Sequence, residues 1–198
     1  MTTPQGYNSG NVWGSVIEMK DCVTPTNHKP YVVMSVDCGG PMGNVIAFGR
    51  MFNPGQVEGL KKLMETTPRP TVRLRGFFSQ YWEQAKSATL YNFTFYKWEP
   101  CAEPMFKAAF ILRGVVTEFQ PAGEKIKIHL KVTRSGKEGY RDQEEEFDIY
   151  SADPELVNQL ETGEWEFKGY LQQGAGEDEF GDASGPVLPF VKQARRIS

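Results

Sequence analysis

Apolar and polar residues alternate along many short stretches of the chain, a period of two that predicts half-buried β-strands. Within 31–38 the apolar positions are Val32, Met34, Val36 and Cys38; within 124–134 they are Ile126, Ile128, Leu130 and Val132. Further β-rich stretches cover 11–23, 44–52, 71–78 and 89–98, and then 110–119, 140–150, 165–171 and 187–197. Two segments break the period. Val57, Leu60, Leu63 and Met64 form a helical stripe, with Asn53 as its N-cap and Pro54 at the first helical position. Asp153-Pro154 opens a second helical segment carrying Val157 and Leu160.

The pattern occurs twice. Gly14-Ser15-Val16-Ile17-Glu18-Met19 aligns with Gly114-Val115-Val116-Thr117-Glu118-Phe119, and Asn53-Pro54-x-x-Val57-x-x-Leu60 with Asp153-Pro154-x-x-Val157-x-x-Leu160, both at an offset of 100. Val72-Arg73-Leu74-Arg75-Gly76-Phe77-Phe78 then matches Trp165-Glu166-Phe167-Lys168-Gly169-Tyr170-Leu171 at an offset of 93. Three matches in one order predict a duplicated domain. Each copy reads β-β-β-α-β-β, the element order of a five-stranded OB barrel with its helix between strands three and four. The glycine inside each first strand, Gly14 or Gly114, suits the bend that strand must make. An SH3-like barrel or a small sandwich would not need a capped helix at that place. The expected fold is therefore mostly β, two tandem five-stranded OB-type barrels with one helix each. The expected boundaries are a flexible arm at 1–10, a first barrel at 11–99, a linker at 100–105 stiffened by Pro100 and Pro104, and a second barrel at 106–198.

At 198 residues, with 39% hydrophobic and 13% aromatic content, the chain can fill two compact cores. Its net charge of −3 is uneven: 10 Lys/Arg face 7 Asp/Glu in residues 1–101, and 12 face 18 in the remainder. A search for an anionic ligand therefore starts in the first half. No apolar run approaches the roughly 18–20 residues that span a bilayer. The polar N-terminus lacks the basic start and apolar core of a signal peptide. Cys22, Cys38 and Cys101 are an odd number without CxxC spacing, which points to reduced thiols and a cytoplasmic setting, with no membrane.

OB barrels take oligomeric ligands across strands two and three and between the one–two and four–five loops. A single strand of nucleic acid needs aromatic faces there for its bases and cations for its phosphates. The first copy offers both. Arg73 and Arg75 share one face of the fourth strand, and Phe48, Arg50 and Phe52 share a side of the third. Tyr81, Trp82 and Lys86 lie in the four–five hairpin, and Trp13 stands beside the bend glycine. Tyr81, Trp82, Phe48 and Trp13 are the candidate base platforms; Arg50, Arg73, Arg75 and Lys86 are the candidate phosphate contacts. The patterning leaves alternatives open. Phe48 and Phe52 fit a core as well as an open face, Tyr81 and Trp82 fit hairpin packing, and Arg73 and Arg75 fit a solvated surface. Tyr91, Phe93, Phe95, Tyr96 and Trp98 occupy both faces of one strand, so some of them must be core.

In the second copy, Lys125, Lys127, His129 and Lys131 form a basic row, and Glu144, Glu146 and Asp148 an acidic row on the next strand. Cross-strand ion pairing accounts for both rows without a ligand. The loop 172–186 holds an acidic run around Phe180 and reads as a solvated hairpin, or else as an acidic lure that competes for the basic groove or recruits a replication enzyme. Lys192, Arg195 and Arg196 make a basic tail.

Catalytic signatures are missing. His28 and His129 are the two histidines, a whole repeat apart, and no HExxH, CxxC, GxSxG or GxxxxGK[ST] pattern occurs. The glycine-rich 39–43 links two strands instead of opening a helix. No catalytic residue, metal site or cofactor is expected.

With Arg73-x-Arg75 and Tyr81-Trp82 in the first copy, the chain resembles the OB-fold single-stranded DNA-binding proteins of bacteria, phages and mobile elements. The resemblance implies sequence-tolerant coating of single-stranded DNA in replication, recombination or repair, often by homo-oligomers that serve replication or recombination proteins. Bacterial members end in an acidic tail finishing Pro-Phe, whereas this sequence ends Ala194-Arg195-Arg196-Ile197-Ser198, so that tail's recruiting role does not transfer. Two rivals stand beside this reading. One is an OB protein-interaction module of a replication, conjugation or virion assembly; the other is a binder of single-stranded RNA.

Overall fold

The computed structural model describes residues 6–39, 45–102, 105–134, 142–173 and 186–197. The chain divides into two compact units, one of Gly10–Ala108 with Gln173–Val187, the other of Ala109–Gln172 with Met1–Ser9 and Leu188–Ser198. Both are mostly β and consistent with an OB-type fold.

The first unit is built from β1 (Tyr7–Val23), β2 (Pro30–Asp37), β3 (Ile46–Met51), α1 (Pro54–Thr66), β4 (Thr71–Glu83) and β5 (Ala88–Pro100). Its pairings run β1–β2–β3–β5–β4 and return from β4 to β1, the β3–β5 pair being parallel and the others antiparallel. β1 pairs with β4 from Gly10 to Ser15 and with β2 from Ser15 to Val23, so it changes partner next to Gly14. A Cβ on Gly14 would lie 2.2 Å from the Asp37 carbonyl oxygen, which is why that position carries no side chain.

Alternation then fills the interior. Val12, Val16, Met34, Val36, Met51, Leu74, Phe78, Phe93 and Phe95 are buried, and α1 adds Leu60. α1 starts where Asn53 Oδ1 accepts from the Gly55 and Gln56 amides at 3.1 and 3.3 Å. Trp98 fastens it to β5, donating its indole N–H to the Gln56 carbonyl at 2.8 Å.

The second unit contains β6 (Lys107–Ala122), β7 (Lys125–Arg134), β8 (Gln143–Ser151), α2 (Pro154–Gln159), β9 (Gly163–Gln173) and β10 (Val187–Arg196). The pairing order β6–β7–β8–β10–β9 again closes, through β9 and β6. Gly114 repeats the role of Gly14: β6 changes partner from β9 to β7 beside it, and a Cβ there would lie 2.3 Å from the Lys131 carbonyl oxygen. Phe110, Leu112, Ile128, Leu130, Phe147, Ile149 and Phe167 make the core.

The start of the chain departs from expectation. Residues from Tyr7 onward, anticipated as a loose arm, belong to β1. Asn8 is buried and donates to Glu145 Oε2 at 3.1 Å, and the Gly6 amide donates to the Thr133 carbonyl. Asn, Ser and Gly are poor strand formers alone, but a side-chain partner outweighs that preference here. Cys22, Cys38 and Cys101 are all free thiols. Among the described residues no helix is long and apolar enough to cross a membrane.

Candidate nucleic-acid interface

Because Ala47, Gly49 and Met51 of β3 point inward, Phe48 and Arg50 point out, and Phe48 is 57% exposed. They form one wall of an open groove of about 360 Å³ that Lys20, Glu18, Val33, Tyr31, Tyr81 and Asn92 also line. Arg50 is held in place: its Nε donates to Thr94 Oγ1 at 3.1 Å, and its guanidinium lies 5.8 Å from the centre of the Phe52 ring. Phe52, half-buried, stacks on Tyr31 at 5.0 Å with 22° between planes, and the Lys29 ammonium sits 5.6 Å from the same ring. In the groove wall, Asn92 Oδ1 is buried with no hydrogen-bond partner among the described residues. A buried acceptor left so costs about 1–3 kcal/mol, and a ligand's N–H would satisfy it.

The four–five hairpin differs from the expected loop. β4 and β5 stay paired out to Glu83 and Ala88, so Tyr81 and Trp82 are strand residues opposite Leu90 and Thr89. The hairpin outruns the core, which leaves both exposed, at 44% and 63%. Neighbours on a strand face opposite ways, and of the two it is Tyr81 that lines the groove. Lys86 ends a 3-10 turn, Gln84–Lys86, at the exposed tip.

Arg73 and Arg75 do share the outer face of β4, but neither lines this groove, and each already has partners. Arg73 donates to Asn11 Oδ1 at 3.1 Å. Arg75 pairs with Glu99 at 3.3 Å, and Glu99 also takes the Lys97 ammonium at 2.8 Å. That Lys97 hydrogen bond, then the Arg75 charge, hold the Glu99 carboxyl below its ordinary range. Trp13 is half-buried, with the Arg73 guanidinium 4.9 Å and the Lys107 ammonium 5.4 Å from its ring. Both cations are within cation–π range of the ring.

The sequence reading missed Tyr31, Lys29 and Asn92. Tyr31 could have been found, since it opens the alternating run of β2 on the side opposite Val32 and Met34; the other two depend on long-range packing. On β5, Tyr91, Phe93 and Phe95 are core, Trp98 is half-buried against α1, and Tyr96 is exposed.

The second unit carries the anticipated ion pairs across β7 and β8. Lys127 pairs with Asp148 at 2.9 Å and Lys131 with Glu144 at 2.9 Å, and the His129 ring is hydrogen-bonded to Asp148 at 3.0 Å. Lys125 instead lies over the Phe190 ring at 4.9 Å. Of the tail, Arg195 pairs with Glu166 and Arg196 with Glu161. Most of the acidic loop, 174–185, and most of the glycine-rich turn, 40–44, lie outside the described residues. Among the described residues no cluster of three or more His, Cys, Asp or Glu could hold a metal.

No protein-family model matches the sequence, and no curated protein does. Solved structures do match. The single-stranded DNA binding protein from Thermus aquaticus superposes with a TM-score of 0.63 at 13% identity, over 98% of this chain and 94% of that one. A deletion mutant of the same protein gives 0.62 at 13% identity, over 99% and 97%. Across nearly its whole length, the chain shares the fold of that Thermus protein.

Proposed function

We propose that the chain is a sequence-tolerant single-stranded DNA-binding protein, in which the two closed strand circuits act as tandem five-stranded OB-type barrels and the first carries the ligand. The observation that carries this reading is the groove lined by residues of β1, β2, β3, β4 and β5. There Phe48 and Tyr81 present exposed rings beside Arg50 and Lys20, with the Tyr31–Phe52 stack and Lys29 next to them. Rings for bases and cations for phosphates in one open channel are what a single strand needs, and neither asks for a particular sequence. Trp82, exposed on the opposite side of the hairpin, and Lys86 at its tip offer further contacts where the strand passes the hairpin. The likeness in fold to a protein that binds single-stranded DNA supports DNA as the ligand. Roles in replication, recombination or repair, and assembly into homo-oligomers, follow from the same reading. The cation–carboxylate ladder of β7–β8 supports reading the second barrel as a supporting or partner-binding one.

The test is titration with dT, rU and duplex oligonucleotides at two salt concentrations, followed by tryptophan fluorescence. Quenching by dT in excess of duplex, weakened by salt, is the expected result. No quenching by any single strand, or affinity indifferent to salt, would overturn the proposal. Preference for rU would move it to RNA.

A further inference from the structure

Away from the groove lies a second surface that combines rings with cations. β5 has one residue more than β4 at one point: Arg75 pairs with Lys97 and Gly76 with Phe95, which leaves Tyr96 unmatched. Such a bulge re-aims side chains. Phe95 stays buried while Tyr96 and Lys97 are both exposed, two consecutive residues on the outside. Gly76 makes room for the bulge, since a Cβ there would lie 2.1 Å from the Thr94 carbonyl oxygen.

The exposed Tyr96 ring meets Phe77, which points outward from β4, at 5.5 Å between centroids. Beside this pair stand Arg75 and Lys97, and beyond them Arg73 and Lys107 at Trp13. Of these four cations, Arg75 and Lys97 pair with Glu99, while Arg73 and Lys107 lie over the Trp13 ring. The surface is continuous with the groove. Arg50 pairs with Thr94, and Thr94 with Phe77, so two strand spacings of about 5 Å separate them.

We infer that Phe77, Tyr96, Arg75 and Lys97 form a second strand-binding subsite, which stacks bases on the ring pair and takes phosphates in exchange for Glu99. The inference rests on the groove's binding single strands and extends the path of the ligand across β4 and β5. Excess positive charge favours a polyanion here over an apolar protein partner.

The experiment compares dT oligonucleotides of about 6 and about 16 nucleotides, which bracket the range one OB fold covers. It uses wild type, the double variant Phe77→Ser/Tyr96→Ser, and Glu99→Gln. The double variant should keep its affinity for the short strand and lose roughly 5- to 150-fold for the long one. Glu99→Gln, a near-isosteric change in a half-buried ion pair, should tighten the long strand and leave the short one alone. Unchanged long-strand affinity in both variants overturns the subsite alone, as does an equal loss at both lengths. A change of oligomeric state in light scattering, with affinity unaltered, would give the ring pair to a copy–copy contact and also overturn it. If wild type binds neither length, the groove reading fails and the subsite falls with it.

Discussion

The guanidinium of Arg73 lies 4.9 Å from the centre of the Trp13 ring and donates to Asn11, so arginine and tryptophan form one unit of β1 and β4. Trp13→Leu should lower stability by about 1–2 kcal/mol through the lost cation–π contacts and packing. Short-strand affinity should stay within twofold, and fluorescence quenching should persist through Trp82. Denaturant unfolding and titration check this together. A collapse of short-strand binding would restore Trp13 as a base platform.

Phe48 is exposed, and its loss should separate binding from folding. Phe48→Ala is expected to weaken dT binding roughly 5- to 150-fold. It should shift stability by no more than about 0.5 kcal/mol. Phe48→Trp should retain affinity. Titration and thermal unfolding of the two variants decide it.

Arg50 reports on phosphate contact. Each phosphate neutralised on a single strand contributes about 0.7 to the slope of log affinity against log salt. Arg50→Gln should flatten the slope by that amount while oligonucleotide quenching continues. An unchanged slope would mean that Arg50 only braces Phe52 and Thr94.

The ion pairs of the second unit predict a pH effect. The Asp148 hydrogen bond raises Lys127 above its ordinary value of 10.5. Stability from this pair is complete below that ordinary value and is lost as pH climbs through the raised one. Asp148→Asn should therefore be less stable near neutrality and lose less on alkalinisation. Thermal unfolding from about pH 8 to about pH 12 checks the difference.

Much of this was legible beforehand, for local reasons. Strict alternation located β2 and β7, and Asn53-Pro54 located α1, because cap and period are short-range signals. The orientation of Phe48 was not legible, since a ring after Ala47 suits either side until the register with β2 and β5 is known. Ser79 and Gln80 made the end of β4 look like a loop, yet pairing with Tyr91 and Asn92 carries the strand on to Glu83. The pairing of Arg75 with Glu99 joins residues 24 positions apart, beyond any local pattern.

The extra residue in β5 does not reach beyond its own position. Past it the strand resumes its in–out alternation, which aims Lys97 and Glu99 at Arg75 and carries Trp98 to the helix. Deleting Tyr96 would let Phe95, Lys97, Trp98 and Glu99 alternate in, out, in and out with the pairing to β4 unchanged, so those four side chains would keep their faces. What the strand would lose with that residue is the ring against Phe77, not the direction of its ending, so the bulge is an insertion that the pairing absorbs.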